Sequence, residues 1–275
     1  MRPGPVPQVA AYFAPAVGGG LCATFANRAI ATWNYLLTAN RVGIDVREET
    51  LTENNLIEIQ SRHPAEVRTE KFSPAREARE SGADWEWWFG SRQGWIGVRV
   101  QSKKSGRNGR YRGLASRNRH GLQIDLLLNS SRKAKVHALY CFYNGWNGLP
   151  VHAGWNCPTY PPSVEMFGCA ISLASEVRKL VARRRNGVLE VANISWPWSC
   201  LVCCPAPGSG RSLPERVNAF LLARDPVARE RGVEVVTRPP QYVLSLLDQG
   251  SPSRRTRLNQ DVPDFSHLLV VTEGL

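Results

Sequence analysis

Residues 83–101 alternate apolar and polar side chains over two runs of strand length. Trp85, Trp87 and Phe89 interleave with Asp84, Glu86 and Trp88; Ile96, Val98 and Val100 interleave with Gly97, Arg99 and Gln101. A two-residue period sends successive side chains to opposite faces of a strand, so each run predicts one strand. The Gly90–Gly94 segment between them joins the two as a hairpin. A four-residue loop, Ser91–Gly94, pairs Gly90 with Trp95, Trp88 with Gly97, Glu86 with Arg99 and Asp84 with Gln101. A slip of one residue would set Asp84 opposite Val100 and mix the faces, so the pattern itself selects this register. Trp88 then lies over Gly97, covering a strand position that has no side chain of its own.

Around this hairpin the chain reads as α/β. Apolar residues at Phe25, Ile30, Trp33, Leu36 and Leu37 predict a helix over about 21–40. A second runs from about Arg47 to Arg62, where Pro64 ends it. Val67–Phe72 reads as a strand, Ser73–Ser81 as a loop or brief helix, Leu122–Ser130 as a helix and Val136–Tyr143 as a buried strand. Beyond Asn144 we expect an irregular Pro- and Trp-rich segment, an amphipathic helix over Phe167–Arg185, short helices near 214–223 and 240–248, and a last strand near 267–272. Three units follow: an N-terminal arm and helix (1–47), a core (48–143) and a C-terminal extension packed on that core (144–275).

Composition removes several classes of function. The 275 residues carry 35 Lys+Arg against 23 Asp+Glu, a formal charge of +12, which favours a polyanionic partner. No apolar run approaches the ~18–20 residues of a membrane span, and Pro3, Pro5 and Pro7 precede no signal-like apolar stretch, so a cytoplasmic protein without membrane contact is expected. Seven cysteines then read as reduced thiols. Cys200, Cys203 and Cys204, with Cys157 and Cys169, have knuckle-like spacing, but apolar neighbours make buried inert thiols the expectation and zinc is not expected. There is no GXSXG, and Gly18–Gly20 lacks a following Lys-Ser/Thr, which excludes a serine hydrolase elbow and a phosphate-binding loop.

One face of the hairpin gathers Asp84, Glu86, Arg99, Gln101 and Lys103. Two carboxylates, an amide and two cations suit phosphodiester hydrolysis: oxygen ligands hold Mg²⁺, and an amine orients water or stabilises developing charge. The plainer reading of the same residues is a solvated sheet face with weak cross-strand ion pairs such as Glu86–Arg99. From Trp87 to Ile124 there is no acid, while Arg92, Arg99, Lys103, Lys104, Arg107, Arg110, Arg112, Arg117 and Arg119 supply nine cations. Lys104, Arg107, Arg110 and Arg112 are candidates to track a nucleic-acid backbone, and Tyr111 is a candidate to stack on a base.

At these residues the sequence resembles the PD-(D/E)XK nuclease superfamily, whose core order is αβββαβ. Ala83-Asp84 stands for its Pro-Asp, and Gln101-Ser102-Lys103, 17 residues beyond Asp84, for its acid-X-Lys. The QXK variant is similar to that of Mrr-type restriction endonucleases. GADWEWWFG, VRVQSKK and QIDLLL further resemble a family of uncharacterised bacterial proteins carrying this core. The resemblance implies a restriction-endonuclease-like core and a Mg²⁺- or Mn²⁺-dependent nuclease acting on DNA, with defence against foreign DNA as its setting by analogy. Asp84 would hold metal with Glu86 or Glu49, Lys103 would position water and Gln101 would orient a ligand. The superfamily often adds a helix-borne Glu; Glu49 is the first candidate and Glu53 the second. Gln123, on the helix after the hairpin, is a further candidate for the same site, although an ordinary helix-surface position is the first reading. Gln101 departs from the pattern by being neutral, which keeps a catalytically degenerate nucleic-acid-binding protein as an alternative. A Cys- and Trp-rich interaction protein is a third reading, and a homodimer stays open.

Overall fold

The computed structural model describes residues 20–72, 81–146, 160–161, 163–204, 210–248 and 265–275. Helix α1 (Leu21–Val42) buries Phe25, Ala29, Trp33 and Leu36 along one stripe and stops at Gly43, whose φ of 85° a glycine adopts freely. Helix α2 (Glu48–Arg62) buries Leu51, Thr52, Asn55, Leu56 and Ile59. Strand β1 (Val67–Lys71) is followed by the hairpin strands β2 (Trp85–Ser91) and β3 (Gly94–Lys104). The short pair β4 (Arg117–Asn118) and β5 (Gly121–Leu122) leads into α3 (Gln123–Ala134) and β6 (His137–Tyr143). The order α2-β1-β2-β3-α3-β6 matches the order expected for 48–143, with one small hairpin added. Positions 73–80 of the expected loop lie outside the described residues.

The hairpin has the predicted register: Glu86 faces Arg99, Trp88 faces Gly97 and Gly90 faces Trp95. Its loop is shorter than expected, because Ser91 also pairs with Gly94. A Cβ on Gly97 would stand 2.8 Å from the Trp88 ring, so this indole occupies the space that a side chain would need.

C-terminal to β6, the predicted helix over 167–185 divides. Cys169–Leu173 is a strand (β7) antiparallel to β6, and only Ala174–Ala182 is helical (α4). The run CAISL is apolar at nearly every position, and a near-continuous apolar run satisfies a helix face and a fully buried strand equally. Helix α5 (Val188–Ala192), strand β8 (Trp196–Pro197), and helices α6 (Cys200–Cys203), α7 (Leu213–Leu222) and α8 (Gln241–Leu247) follow, then strand β9 (His267–Glu273).

One mixed sheet of seven strands results, in the order β1-β9-β2-β3-β6-β7-β8. Strand β9 inserts between β1 and β2, antiparallel to the first and parallel to the second. The C-terminal segment therefore completes the middle of the sheet, where an extension packed on a finished core was expected. Helices cover both faces. On one side, Phe25 of α1 packs on Trp87 and Trp198, with ring centroids 6.3 and 5.0 Å apart. On the other, α8 lays Tyr242 against Glu86. Every residue of β2 is buried, so the expected solvated face is covered, and Trp85, Trp87, Trp88, Trp95 and Trp198 belong to the core, not to a partner-facing surface.

The cysteines also depart from expectation. Cys22 and Cys203 form a disulfide across 181 residues, fastening the start of α1 to α6. Cys203 is thus neither a free thiol nor a zinc ligand; Cys157 lies outside the described residues. Cys169 is buried within hydrogen-bonding reach of Thr32 and Asn55, and burial pushes its thiol up to about 12. Among the described residues no helix is long and apolar enough to cross a membrane.

Candidate active site

Where β2 begins, β3 ends and β9 begins, the sheet opens into a cleft of about 300 Å³. The first turn of α2 contributes Glu48, Glu49 and Thr52; β3 contributes Gln101, Ser102 and Lys103; Gln123 enters from the first turn of α3, and Ser266 and His267 from the start of β9. Asp84 stands at the centre. Its backbone N–H donates to the Val100 carbonyl at 2.8 Å, and its own carbonyl accepts from the Ser266 N–H at 2.9 Å, so both neighbouring strands fix it.

The Asp84 carboxylate is oriented by β3. Oδ2 accepts hydrogen bonds from Gln101 Nε2 (2.7 Å), the Ser102 backbone N–H (2.7 Å) and the Ser102 hydroxyl (2.5 Å). All three donors converge on one oxygen, which leaves Oδ1 turned away from them. Gln101 is 2% exposed, and its Oε1 is buried with no donor against it among the described residues. A buried oxygen left unpaired costs on the order of 1–3 kcal/mol. Lys103 is 7% exposed, with Nζ 3.4 Å from Gln123 Oε1, a long contact that holds the amine loosely on the cleft wall.

The acids expected to assist Asp84 separate into three fates. Glu86 shares the Asp84 face but lies one residue pair deeper, fully buried. It accepts from Arg99 Nε (2.7 Å), Trp88 Nε1 (2.6 Å) and the Tyr242 hydroxyl, so its oxygens are committed to packing α8 and it lines no part of the cleft. Glu86 as a metal ligand is therefore corrected to a structural role. Glu49 does line the cleft, from an exposed position. Glu53 pairs with Lys71 and has Oε1 3.5 Å from His267 Nε2.

Sequence reasoning missed Glu48. Its Oε1 accepts from the Lys104 backbone N–H at 2.7 Å, pinning the start of α2 to the end of β3. Burial raises its carboxyl above the ordinary range; nearby Lys103 works against that shift and Asp84 with it. The signal was available: Glu48 continues the buried stripe Leu51, Thr52, Asn55, Ile59 by one helical turn. His267 was missed as well, because β9 is remote in sequence; burial lowers its imidazole, opposed by Glu53.

The basic loop divides too. Arg107, Arg110 and Arg112 are exposed, and Lys104 pairs with Asp45. Tyr111 is 1% exposed; its hydroxyl donates to Asn144 and its ring lies 4.7 Å from that of Phe142. It is a core residue and has no face to offer a base. A groove of about 640 Å³ lined by Arg47, Glu48, Glu49, Lys104, Arg107 and Arg112 adjoins the cleft through the two glutamates.

Among the described residues no three His, Cys, Asp or Glu side chains converge as a ready metal cage. Magnesium needs less: one or two carboxylates, with waters and substrate oxygens completing the octahedron. Asp84, Glu48 and Glu49 line the cleft with carboxylates and Gln101 with an amide, a set of hard oxygen donors that fits Mg²⁺ or Mn²⁺ and not zinc.

No curated protein matches the chain. The model of a family of unknown function, DUF6615, matches residues 21–270, from the first residue of α1 into the last strand of the sheet. The chain that presents this aspartate, amide and lysine to one cleft belongs to the DUF6615 family.

Proposed function

We propose that this protein is a divalent-metal-dependent nuclease that hydrolyses phosphodiester bonds in DNA, on a core of the PD-(D/E)XK kind, and that its setting is defence against foreign DNA. The observation that carries the reading is the convergence of Asp84, Gln101 and Lys103 in one cleft beside a groove with exposed arginines. Asp84 and Gln101, with Glu48 or Glu49, would hold Mg²⁺ or Mn²⁺, which when bound polarises a phosphoryl oxygen and acidifies water.

The chain's own residues do the rest. Ser102 and Gln101 keep Asp84 in one orientation. Lys103 donates a hydrogen bond to the attacking water or to the phosphoryl oxygen that gains charge, and Gln123 holds its amine against the wall. Arg107, Arg110 and Arg112 grip the phosphate backbone without reading bases. The cleft is open, so solvent supplies the proton for the departing oxygen.

Plasmid and single-stranded DNA incubated with Mg²⁺, Mn²⁺ or EDTA test the proposal. Wild type cleaves with either metal and not with EDTA; Asp84→Ala abolishes cleavage, and Lys103→Ala slows it by roughly 10²-fold or more. The neutral Gln101 favours one competing reading, a binding protein on a degenerate site. Salt-sensitive DNA binding without cleavage in either metal would establish that reading and overturn ours.

A further inference from the structure

A second run of cations, Arg183, Arg184 and Arg185, sits where the chain leaves α4. It is far from the basic loop in sequence, and the backbone brings the two together. Tyr111 N–H donates to the Asn186 carbonyl (2.8 Å), Val188 N–H donates to the Gly109 carbonyl (2.9 Å), Asn186 Nδ2 donates to the Tyr111 carbonyl (3.2 Å), and Arg110 bridges to Gly187. Six arginines, 107, 110, 112, 183, 184 and 185, are thereby displayed on adjoining turns, all exposed. Among the described residues the one ion pair these six make is Arg185 with Glu190, at 3.6 Å.

A depression of about 400 Å³ lies between the turns, walled by Tyr111, Leu114, Ser116, Arg184, Arg185 and Asn186. The cleft and the arginine groove share Glu48 and Glu49, while the depression shares no lining residue with either and adjoins the groove through the consecutive residues Arg112 and Gly113. The macrodipole of α4 accounts for a cation at its C-terminal end, but it does not account for three set beside three more, whose residual repulsion, screened by solvent, a polyanion lying across them would relieve. Arg184 also has φ 55°, in the left-handed region where helix ends ordinarily place glycine.

We propose that the Arg183–Arg185 turn is a second phosphate-binding anchor, which grips the nucleic-acid strand beyond the basic loop and outside the cleft. The proposal rests on the reading of DNA as substrate, and binding without chemistry separates the two. A labelled duplex of about 30 base pairs, in EDTA, is titrated with the full chain across roughly 50–200 mM salt, where each lost phosphate contact lowers the slope of log K against log salt by about 0.9. The Arg183→Ser/Arg184→Ser/Arg185→Ser variant should flatten the slope by about 2.7, and Arg184→Gly by about 0.9. In Arg184→Gly glycine relieves the left-handed backbone, so misfolding cannot account for the loss. If wild type binds and both variants keep its slope, the anchor is overturned and the nuclease reading survives. If the variants flatten the slope in EDTA and wild type still leaves the duplex intact when Mg²⁺ or Mn²⁺ replaces EDTA, the anchor stands and the nuclease reading falls. A wild type that binds no duplex overturns the anchor.

Discussion

Glu86→Ala deletes a carboxylate that is fully buried and takes hydrogen bonds from Arg99 Nε at 2.7 Å, Trp88 Nε1 at 2.6 Å and the Tyr242 hydroxyl. What remains is a guanidinium 6% exposed, with its nearest counter-charge gone. Removing one partner of a buried pair costs about 3–5 kcal/mol, because the other charge is stranded without water. Tyr242 does not rescue Arg99 by ionising: burial, the largest cause of its raised phenol, remains when Glu86 is gone. At roughly 2–4 °C per kcal/mol for a chain of this size, Tm should fall by about 6–20 °C. Melting in EDTA and in Mg²⁺ is the assay, and the fall should be the same in both. Glu86→Leu/Arg99→Leu should recover most of the loss, since apolar replacement of a whole buried pair is often neutral or stabilising. An unchanged Tm in EDTA, together with a lost response to Mg²⁺, would return Glu86 to the metal site and refute the packing of α8 described above.

Gln101→Glu removes the amide donor to Asp84 and sets two carboxylates side by side; Tm in EDTA should drop by the equivalent of about 1.5–3 kcal/mol while the Mg²⁺-induced rise in Tm grows. An equal Mg²⁺ response in variant and wild type would count against Gln101 facing the metal. His137 is hydrogen-bonded to Asn218, and burial lowers its imidazole from 6.5 to about 4. The unfolded chain therefore takes up a proton that the folded chain refuses, so about 3 kcal/mol of stability present above pH 6.5 is lost as pH falls toward 4. Denaturant midpoints at about pH 7, 5.5 and 4.5 should show a shallower decline in His137→Gln, and parallel declines would refute it. Reduction of the Cys22–Cys203 disulfide, which closes a loop of 181 residues, should cost up to about 5 kcal/mol by the loop-entropy estimate, and Cys203→Ala should match it. An identical Tm with and without reductant would show that the two sulfurs are not joined.

The parts of this molecule legible in its sequence are those whose determinants are local. The alternation of 83–101 specified the hairpin register because any slip exchanges its two faces, and Trp88 over Gly97 followed from the same pairing. Asp84, Gln101 and Lys103 came with it, since parity within two joined strands suffices to place them together. Misreadings begin where a distant segment decides. Glu86 and Asp84 are indistinguishable by parity; what separates them is α8, 156 residues from Glu86 at the Tyr242 contact, which covers one and leaves the other at the sheet's end. Strand β9 comes from still farther along, and with it His267, so no pattern near the hairpin could announce a strand between β1 and β2. Tyr111 sits among arginines in sequence yet points into the core, because Asn144 and Phe142 of a later segment receive it. Glu48 is the informative miss: its helical stripe was local evidence, and following the buried face of α2 back one turn would have ranked it above Glu49. A site at the end of a sheet is therefore half written in the strands that carry it. The other half lies in whichever elements close over the neighbouring residues, and those closures decide which carboxylate reaches the cleft.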